Sequence, residues 1–522
     1  MKVRVIIPTA GLGKRLGNLT KNLNKSLITV AEKPAISHII DSFPIDTEFV
    51  IPIGFDALKV REYLKIAYPK KKFFFIKIKK YSGKGSGLGL TMLKCKKYLE
   101  RPFIFVSCDT IFFGKLPSLK NNWVGFNNSK ISSSYRKIEI KNKKVLNFIE
   151  KKNNIKKSTK NYIGLAGIKD FKEFWKEMEK GKNKSIREGE VYGLKKLIKN
   201  QIKAFKFSWF DTGNIYQLKK AKEKLNKNNF NILEKNDESI FFTNDKHVIK
   251  FSNDKKFIQK RVVRQLFLKN YTPKIIKFSK HFYKYKKQDG VIFSKTITKK
   301  SFNQLLSFLM IFWKTKKVNK KNFQLNCLKF YKDKSLKRVK MFKSLYGQFD
   351  RIEKINGIKV NYVDRIMKEI NWQKLSTGKP VNFHGDLHFE NILKTKKKFL
   401  LLDWRQSFET YLDKGDLYYD LAKIFHGIIV SHQKVIDNKY NFIQKGNSTK
   451  ITLKLSKKYK NIAKIFIKWI EKNKFDLHKV TTLTALIYLN IAPLHHYPYS
   501  IFLFKLGKLM LTDEQFVKKM IN

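Results

Sequence analysis

Residues 381–405 read VNFHGDLHFENILKTKKKFLLLDWR. A short apolar run opens the stretch. A polar turn follows, His384-Gly385-Asp386-Leu387-His388-Phe389-Glu390-Asn391, and a second apolar run, Phe399 to Leu402, delivers Asp403. Two strands joined this way place an Asp, an Asn and a second Asp at one end of a small sheet. Phosphate transfer needs such a set. One carboxylate accepts the proton of an attacking hydroxyl, while an amide oxygen and another carboxylate hold the magnesium that bridges nucleotide phosphates. A polar turn between two core strands is the plainer alternative, and it leaves three phosphotransfer groups in that order unexplained.

The spacing from Asp386 to Asn391 is that of a kinase catalytic loop. The segment resembles the loop of the aminoglycoside phosphotransferase and choline kinase superfamily, with His384-Gly385-Asp386 in place of the protein-kinase His-Arg-Asp. Asp403-Trp404-Arg405 stands where protein kinases have Asp-Phe-Gly. The resemblance implies Asp386 as the catalytic base, Asn391 and Asp403 as ligands of Mg²⁺, and ATP as the donor. Residues 415–422, GDLYYDLA, resemble the superfamily's Asp-Leu-Ala segment, which makes Asp420 a structural residue rather than a catalytic one.

At 522 residues the chain is too long for one compact domain, and two or three are expected. The net charge of +71 raises a nucleic-acid or anionic-membrane partner. The lysines are dispersed rather than gathered into one basic arm, so a bias of the whole chain accounts for them better. No specific nucleic acid is expected. Cys95, Cys108 and Cys327 have neither metal nor redox spacing and fit a reducing cytoplasm. MKVRVIIPTAG starts directly with a strand, without a signal-peptide pattern. The apolar run Val480 to Leu494 is too short to span a bilayer and reads as a core helix.

The first half opens with a strand, Val3 to Pro8, that runs into Thr9-Ala10-Gly11-Leu12-Gly13-Lys14-Arg15. Glycines let backbone N–H groups approach a triphosphate, and an arginine adds a bidentate phosphate contact. A dinucleotide-binding turn is the rival reading. It asks for a third glycine and a later acidic residue, whereas a basic residue follows here. Strands are expected over Glu48 to Ile53, Phe73 to Ile78 and Phe103 to Val106, and helices over Pro34 to Ser42 and Asp56 to Ala67. The pattern resembles the sugar-nucleotidyltransferase superfamily, including phosphocholine cytidylyltransferases, over about residues 1–225. The carrying residues are Gly11-Leu12-Gly13-Lys14-Arg15, Lys25-Ser26, Gly83-Lys84-Gly85, Asp109 and Trp209-Phe210-Asp211-Thr212-Gly213-Asn214. The resemblance implies a nucleotide site at Ala10, Gly11, Gly13, Arg15, Lys25 and Gly83. It further implies Mg²⁺ between Asp109 and Asp211, and catalysis by Arg15 and Lys25. Asn214 replaces the superfamily's usual Thr. Glu188 and Glu190 lie where acceptor-binding residues often occur.

The join is placed near Asn228, in a lysine- and asparagine-rich connector. This gives a nucleotidyltransferase domain over residues 1–227 and a kinase-like domain over 228–522, with lobes at about 232–300 and 301–522. Glu238 to Thr243 and His247 to Phe251 read as a hairpin. Val248-Ile249-Lys250-Phe251 resembles the kinase Val-Ala-Ile-Lys strand, making Lys250 a nucleotide contact. The next helix, Phe257 to Leu268, holds no glutamate to pair with it, and Gln259 and Gln265 are the nearest candidates.

The fold class is therefore α/β: an N-terminal three-layer, Rossmann-like nucleotidyltransferase domain and a C-terminal bilobal, protein-kinase-like domain. The combined resemblances imply a bifunctional enzyme that phosphorylates a choline- or ethanolamine-like alcohol and joins the product to a nucleotide from CTP. Trp404, Tyr418, Tyr419 and Asp416 are candidates for the cationic head group. An anomeric sugar kinase joined to a sugar-1-phosphate uridylyl- or guanylyltransferase is the alternative. A catalytically dead scaffold or nucleic-acid-binding protein is the alternative of another class.

Overall fold

A computed structural model of the chain describes residues 2–129, 135–149, 159–225, 238–431, 435, 440–453 and 455–521. The chain forms two compact units. The first holds residues 1–255 and 276–285, and the second residues 256–275 and 286–522. The connector 226–237, where the sequence places the join, lies outside the described residues.

The first unit is built on a nine-stranded sheet among the described residues. Its order is Lys72–Lys77, Glu48–Ile53, Arg4–Ile6, Phe103–Val106, Thr159–Ile168, Asn122–Asn127, Ile202–Lys206, Lys144–Ile149, Lys137–Lys141. The first four strands are parallel. Thr159–Ile168 runs antiparallel against Phe103–Val106. Side chains alternate between two cores, as the period of a strand requires. Val5, Phe49, Ile51, Ile104 and Val106 face one core with Ile36, Ile39, Val60 and Leu64 of two helices. Ile6, Val50, Phe103 and Phe105 face the other with Met92, Phe174, Trp175 and Leu194. Helix, sheet and helix thus make three layers. Continuous apolar strands such as Phe103–Val106 are buried on both faces, which suits the parallel part of the sheet.

The expected hairpin forms from Glu238–Phe242 and His247–Ser252. It belongs to the first unit. Phe241, Ile249, Phe251 and Phe282 share the core that holds Tyr63 and Leu64 of the helix Ala57–Ala67. The Tyr63 ring lies 5.3 Å from Phe241 and 5.9 Å from Phe282. Glu62 on the same helix accepts from the His281 N–H and the Ser279 hydroxyl, each at 3.1 Å. Lys250 is buried at mid-strand in this hairpin.

The second unit is mainly helical. A three-stranded sheet of Val291–Ile292, Ile392–Lys394 and Phe399–Leu401 carries the signature segment. The buried helices Leu417–Ile429, Leu477–Ile491 and Tyr499–Thr512 pack in series on one another, and the second of these is the expected core helix. Two lysines of Tyr499–Thr512 are buried in ion pairs, Lys508 with Asp350 at 2.9 Å and Lys505 with Glu353. Buried charges of this kind are tolerated only as pairs. Among the described residues no helix is long and apolar enough to cross a membrane.

Candidate active sites

The first unit holds a cleft of about 450 Å³ lined by Ala10, Gly11, Arg15, Lys25, Asp109 and Asp211. Local sequence explains each position. The strand Arg4–Ile6 ends in a turn whose Gly13 has φ +69°, a conformation that favours glycine. Asp109 follows the buried strand Phe103–Val106. Asp211 ends Ser208–Asp211, which pairs antiparallel with Thr110–Phe113 and sets Asp211 opposite Thr110. The Thr212 N–H donates to the Asp109 carbonyl at 2.9 Å, which ties the two aspartate segments together.

Between the carboxylates sits Gly213. A Cβ there would lie 3.0 Å from Arg15 Nη2, Asp109 Oδ2 and Asp211 Oδ1 alike. The absent side chain leaves a cradle in which two carboxylate oxygens and a guanidinium face one point. Two oxygen donors around an open cradle fit Mg²⁺, which takes one or two carboxylates and completes its shell with phosphate oxygens and water. Among the described residues no group of three or more His, Cys, Asp or Glu has metal-site geometry.

Lys25 Nζ lies 2.9 Å from Asp109 Oδ2, and Arg15 Nη2 lies 4.0 Å from the same oxygen. Burial works against the Asp109 charge, but Lys25 and then Arg15 outweigh it and hold the carboxyl below the usual range. Asp211 goes the other way. Burial pushes it up, the Asp109 charge adds to that, and the Gly213 N–H at 2.8 Å and the Tyr135 hydroxyl at 3.1 Å only partly compensate.

Gly83 has φ +81° and does not line the cleft; Tyr81, Ser86 and Gly87 of the same turn do. Glu190 lines the cleft, whereas Glu188 pairs with Lys195 at 3.0 Å. Tyr135, Arg136, Tyr162 and Trp209 also face it. Tyr162 comes from the strand Thr159–Ile168, which carries no motif and reaches the cleft only by sheet pairing.

In the second unit the signature segment forms a tight polar cluster. The Asn391 amide donates to the Asp386 carbonyl at 2.9 Å and to its Oδ2 at 3.2 Å. Asp403 has φ +55° and lies 3.4 Å from Arg261 Nη1. Asn391 and Asp403 are thus a suitable amide and carboxylate for Mg²⁺.

Three further groups brace the loop. Asp420 accepts from the His384 and Gly385 N–H groups at 2.9 and 2.7 Å and from the Trp313 indole at 3.1 Å. Buried His384 bridges the Leu402 carbonyl at 2.8 Å and the Asp386 N–H at 3.3 Å, and burial drives its pKa down to about 3. It is a neutral brace. Arg264, fully buried, donates to the carbonyls of Leu412 at 2.8 Å, Arg405 at 2.6 Å and Phe383. The helix Lys255–Phe267 therefore reaches the loop through arginines at positions 261 and 264. The kinase pattern asks for a glutamate on this helix, and these two residues are arginines.

Lys423, also unforeseen, lies 2.9 Å from Asp386 Oδ1. Burial opposes the Asp386 charge, yet Lys423 and His388 outweigh it and hold the carboxyl well below its ordinary value. The signal was present one turn past Asp420, on the same helix. Of the four candidates for a cationic head group, Trp404, Tyr418, Tyr419 and Asp416 are all buried. Asp416 already accepts from the Tyr331 hydroxyl at 2.6 Å and the Lys379 N–H at 2.8 Å. These side chains are core and brace, not a cage.

No family model matches the chain. It is 33% identical over 205 residues to the bifunctional protein GlmU of Methanococcus vannielii, covering 37% of this chain and 47% of the relative. It is 30% identical over 244 residues to the protein of that name in Methanocaldococcus jannaschii, covering 45% and 57%. The chain thus spans about half the length of the curated relatives it matches. Solved structures with similarity include a UDP-glucose pyrophosphorylase complexed with UDP-glucose, at 18% identity and TM-score 0.37, covering 43% of this chain and 98% of that one. Another is the CTP:phosphocholine cytidylyltransferase of Streptococcus pneumoniae, at 18% identity and TM-score 0.36, covering 43% and 100%.

Proposed function

We propose that the chain joins two consecutive transfers of phosphorus-containing groups. The second unit phosphorylates a small alcohol with ATP. The first transfers a nucleotidyl group from a nucleoside triphosphate to the phosphate monoester so formed. The observation that carries the reading is the convergence of Asp109, Asp211 and Arg15 on the Gly213 cradle, with Lys25 on Asp109.

In the first step the alcohol oxygen attacks the γ-phosphorus, its proton passes to Asp386, and ADP leaves. Lys423 holds Asp386 in its ionised form and adds positive charge beside the transferring group. In the second step an oxygen of the phosphate monoester attacks the α-phosphorus of the nucleoside triphosphate, and pyrophosphate leaves. Arg15 and Lys25 neutralise charge that grows on the pyrophosphate, so catalysis is positioning and electrostatics. Mg²⁺, held by Asp109 with Asp211 and by Asn391 with Asp403, would supply charge neutralisation at the phosphates of each site. Two such steps on one chain raise the local concentration of the intermediate.

The resemblance to cytidylyltransferases supports CTP as the nucleotide. The buried state of Trp404, Tyr418 and Asp416 removes the candidates for a choline cage and favours an acceptor of another kind. The test is incubation with ATP, CTP, UTP, GTP and a panel of alcohols, with products read by mass. Asp386→Asn is expected to abolish phosphorylation and leave pyrophosphate release from a supplied ester. Asp109→Ala is expected to do the reverse, with a loss of about 10²–10³ in rate. Loss of both activities in one folded variant would count against two sites.

A further inference from the structure

Four cations gather around Tyr419, and two of them, Lys423 and Arg405, also touch the Asp386 loop. Lys334 and Arg338 lie one turn apart on the helix Lys334–Tyr346, and Lys423 lies one turn after Tyr419 on the helix Leu417–Ile429. Lys334 Nζ donates to the Tyr419 hydroxyl at 3.0 Å. Arg405 runs past the loop: its N–H donates to the His384 carbonyl at 2.9 Å, and its Cβ lies 2.7 Å from where a Cβ on Gly385 would be. Phe330 collects two of the cations, with Lys334 Nζ 4.8 Å and the Arg405 guanidinium 4.7 Å from its ring centre.

Among the described residues Lys423 alone of the four has a carboxylate partner, and that partner is Asp386. Among the described residues Lys334, Arg338 and Arg405 have no carboxylate within 4.0 Å. Arg405 Nε is buried with no hydrogen-bond partner among the described residues. Like charges held together without counter-charge cost free energy, and an anionic ligand removes that cost. The Tyr419 hydroxyl reports the local field. Burial pushes its pKa up, but Lys334, Lys423 and Arg405 outweigh burial and bring it down to about 8.

We propose that the alcohol phosphorylated by the second unit is itself an anion, a hydroxylated carboxylate or phosphate whose charged group is held by Lys334, Arg338 and Arg405. This rests on the phosphotransfer reading of Asp386, Asn391 and Asp403. A choline- or ethanolamine-like cation would meet repulsion from the three cations, whereas an anionic group placed there turns a hydroxyl of the same molecule toward Asp386. Arg405 and Lys334 suit planar and point-charge contacts respectively, so both anion types are served.

The test uses the full chain with ATP and Mg²⁺ and compares choline, ethanolamine, glycerol, glucose, glucuronic acid and glycerol 3-phosphate, with ADP release and product mass as readouts. One or both anions are expected to be turned over with the highest kcat/KM, and which of them wins separates the carboxylate from the phosphate. Arg338→Gln, on a half-exposed helix face, is expected to raise the KM for the anion about 10- to 100-fold while the KM for ATP stays within about twofold. Lys334→Gln is the second variant and should behave alike. Preference for choline, ethanolamine or a neutral alcohol overturns the proposal and leaves the kinase reading standing. A rise in the KM for ATP instead of the acceptor assigns the cations to the nucleotide and overturns it too. Absence of any Asp386-dependent ATP turnover overturns the kinase reading and the proposal together.

Discussion

Asp211 holds its charge at a cost that its neighbours explain. Burial and the Asp109 carboxylate both push its pKa up. Above that pKa the ionised form is kept against its preference, so stability is lost where activity needs it. Asp211→Asn removes the repulsion and keeps an acceptor for the Gly213 N–H. Its thermal midpoint at pH 8 is expected to equal or exceed that of wild type, while pyrophosphate release falls about 10²–10³-fold. A midpoint well below wild type would make Asp211 a structural residue. The same logic separates the histidines. His384 is buried, neutral and fastened at both nitrogens. Burial opposes the charge on His388, but Asp386 and Glu390 outweigh it and raise its pKa to about 9. Residue type and spacing nominated Asp386, Asn391 and Asp403, and the resemblance of the first half nominated Asp109 and Asp211. They could not nominate Lys423 or Arg405, because an isolated lysine or arginine in so basic a chain carries no pattern.

The helix Ala57–Ala67 shows how an element acquires a second task. Its apolar face, with Val60 and Leu64, packs on the parallel sheet. Glu62 instead accepts from three donors of the turn that precedes Phe282: His281 N, His281 Nδ1 at 3.0 Å and Ser279 Oγ. Burial opposes the Glu62 charge, but His281 first and Ser279 next outweigh it and hold the carboxyl below its ordinary value. A depressed carboxylate contributes stability that is fully present above its unfolded pKa and is lost as pH falls through the folded one. Glu62→Gln is expected to cost about 1–3 kcal/mol at pH 7, read as a lower urea midpoint. The gap between variant and wild type should close below the ordinary value of 4.5. A gap that stays constant down to pH 3 would place the loss in packing rather than charge. Helix Lys255–Phe267 makes a parallel point. Periodicity announces the helix, while the partners of Arg261 and Arg264 depend on which loop it meets.

At the scale of the molecule, the first unit is larger than its motifs suggest. Phe241, Ile249, Phe251 and Phe282 complete a core begun by Tyr63. A fragment of residues 1–225 leaves that face bare. At about 1.5–3 kcal/mol for each large side chain no longer buried, it should unfold at lower urea than the corresponding transition of the full chain and bind an apolar dye. Equal midpoints would show that the hairpin adds nothing to the first unit. The sequence alone determined the strands Glu48–Ile53 and Phe103–Val106, the glycine turn after the first strand, and the loop from His384 to Asn391. Apolar runs, glycines and spacings are local, so each could be read where it stood. Only the tertiary structure joined Asp109 to Asp211, through the pairing of Thr110–Phe113 with Ser208–Asp211. It alone assigned the hairpin to the first core, buried the residues expected to cage a choline, and gathered Lys334, Arg338 and Arg405 around Tyr419, one turn before the Lys423 that pairs with Asp386. Burial and unbalanced charge depend on which distant faces meet, and that is settled by packing over the whole chain.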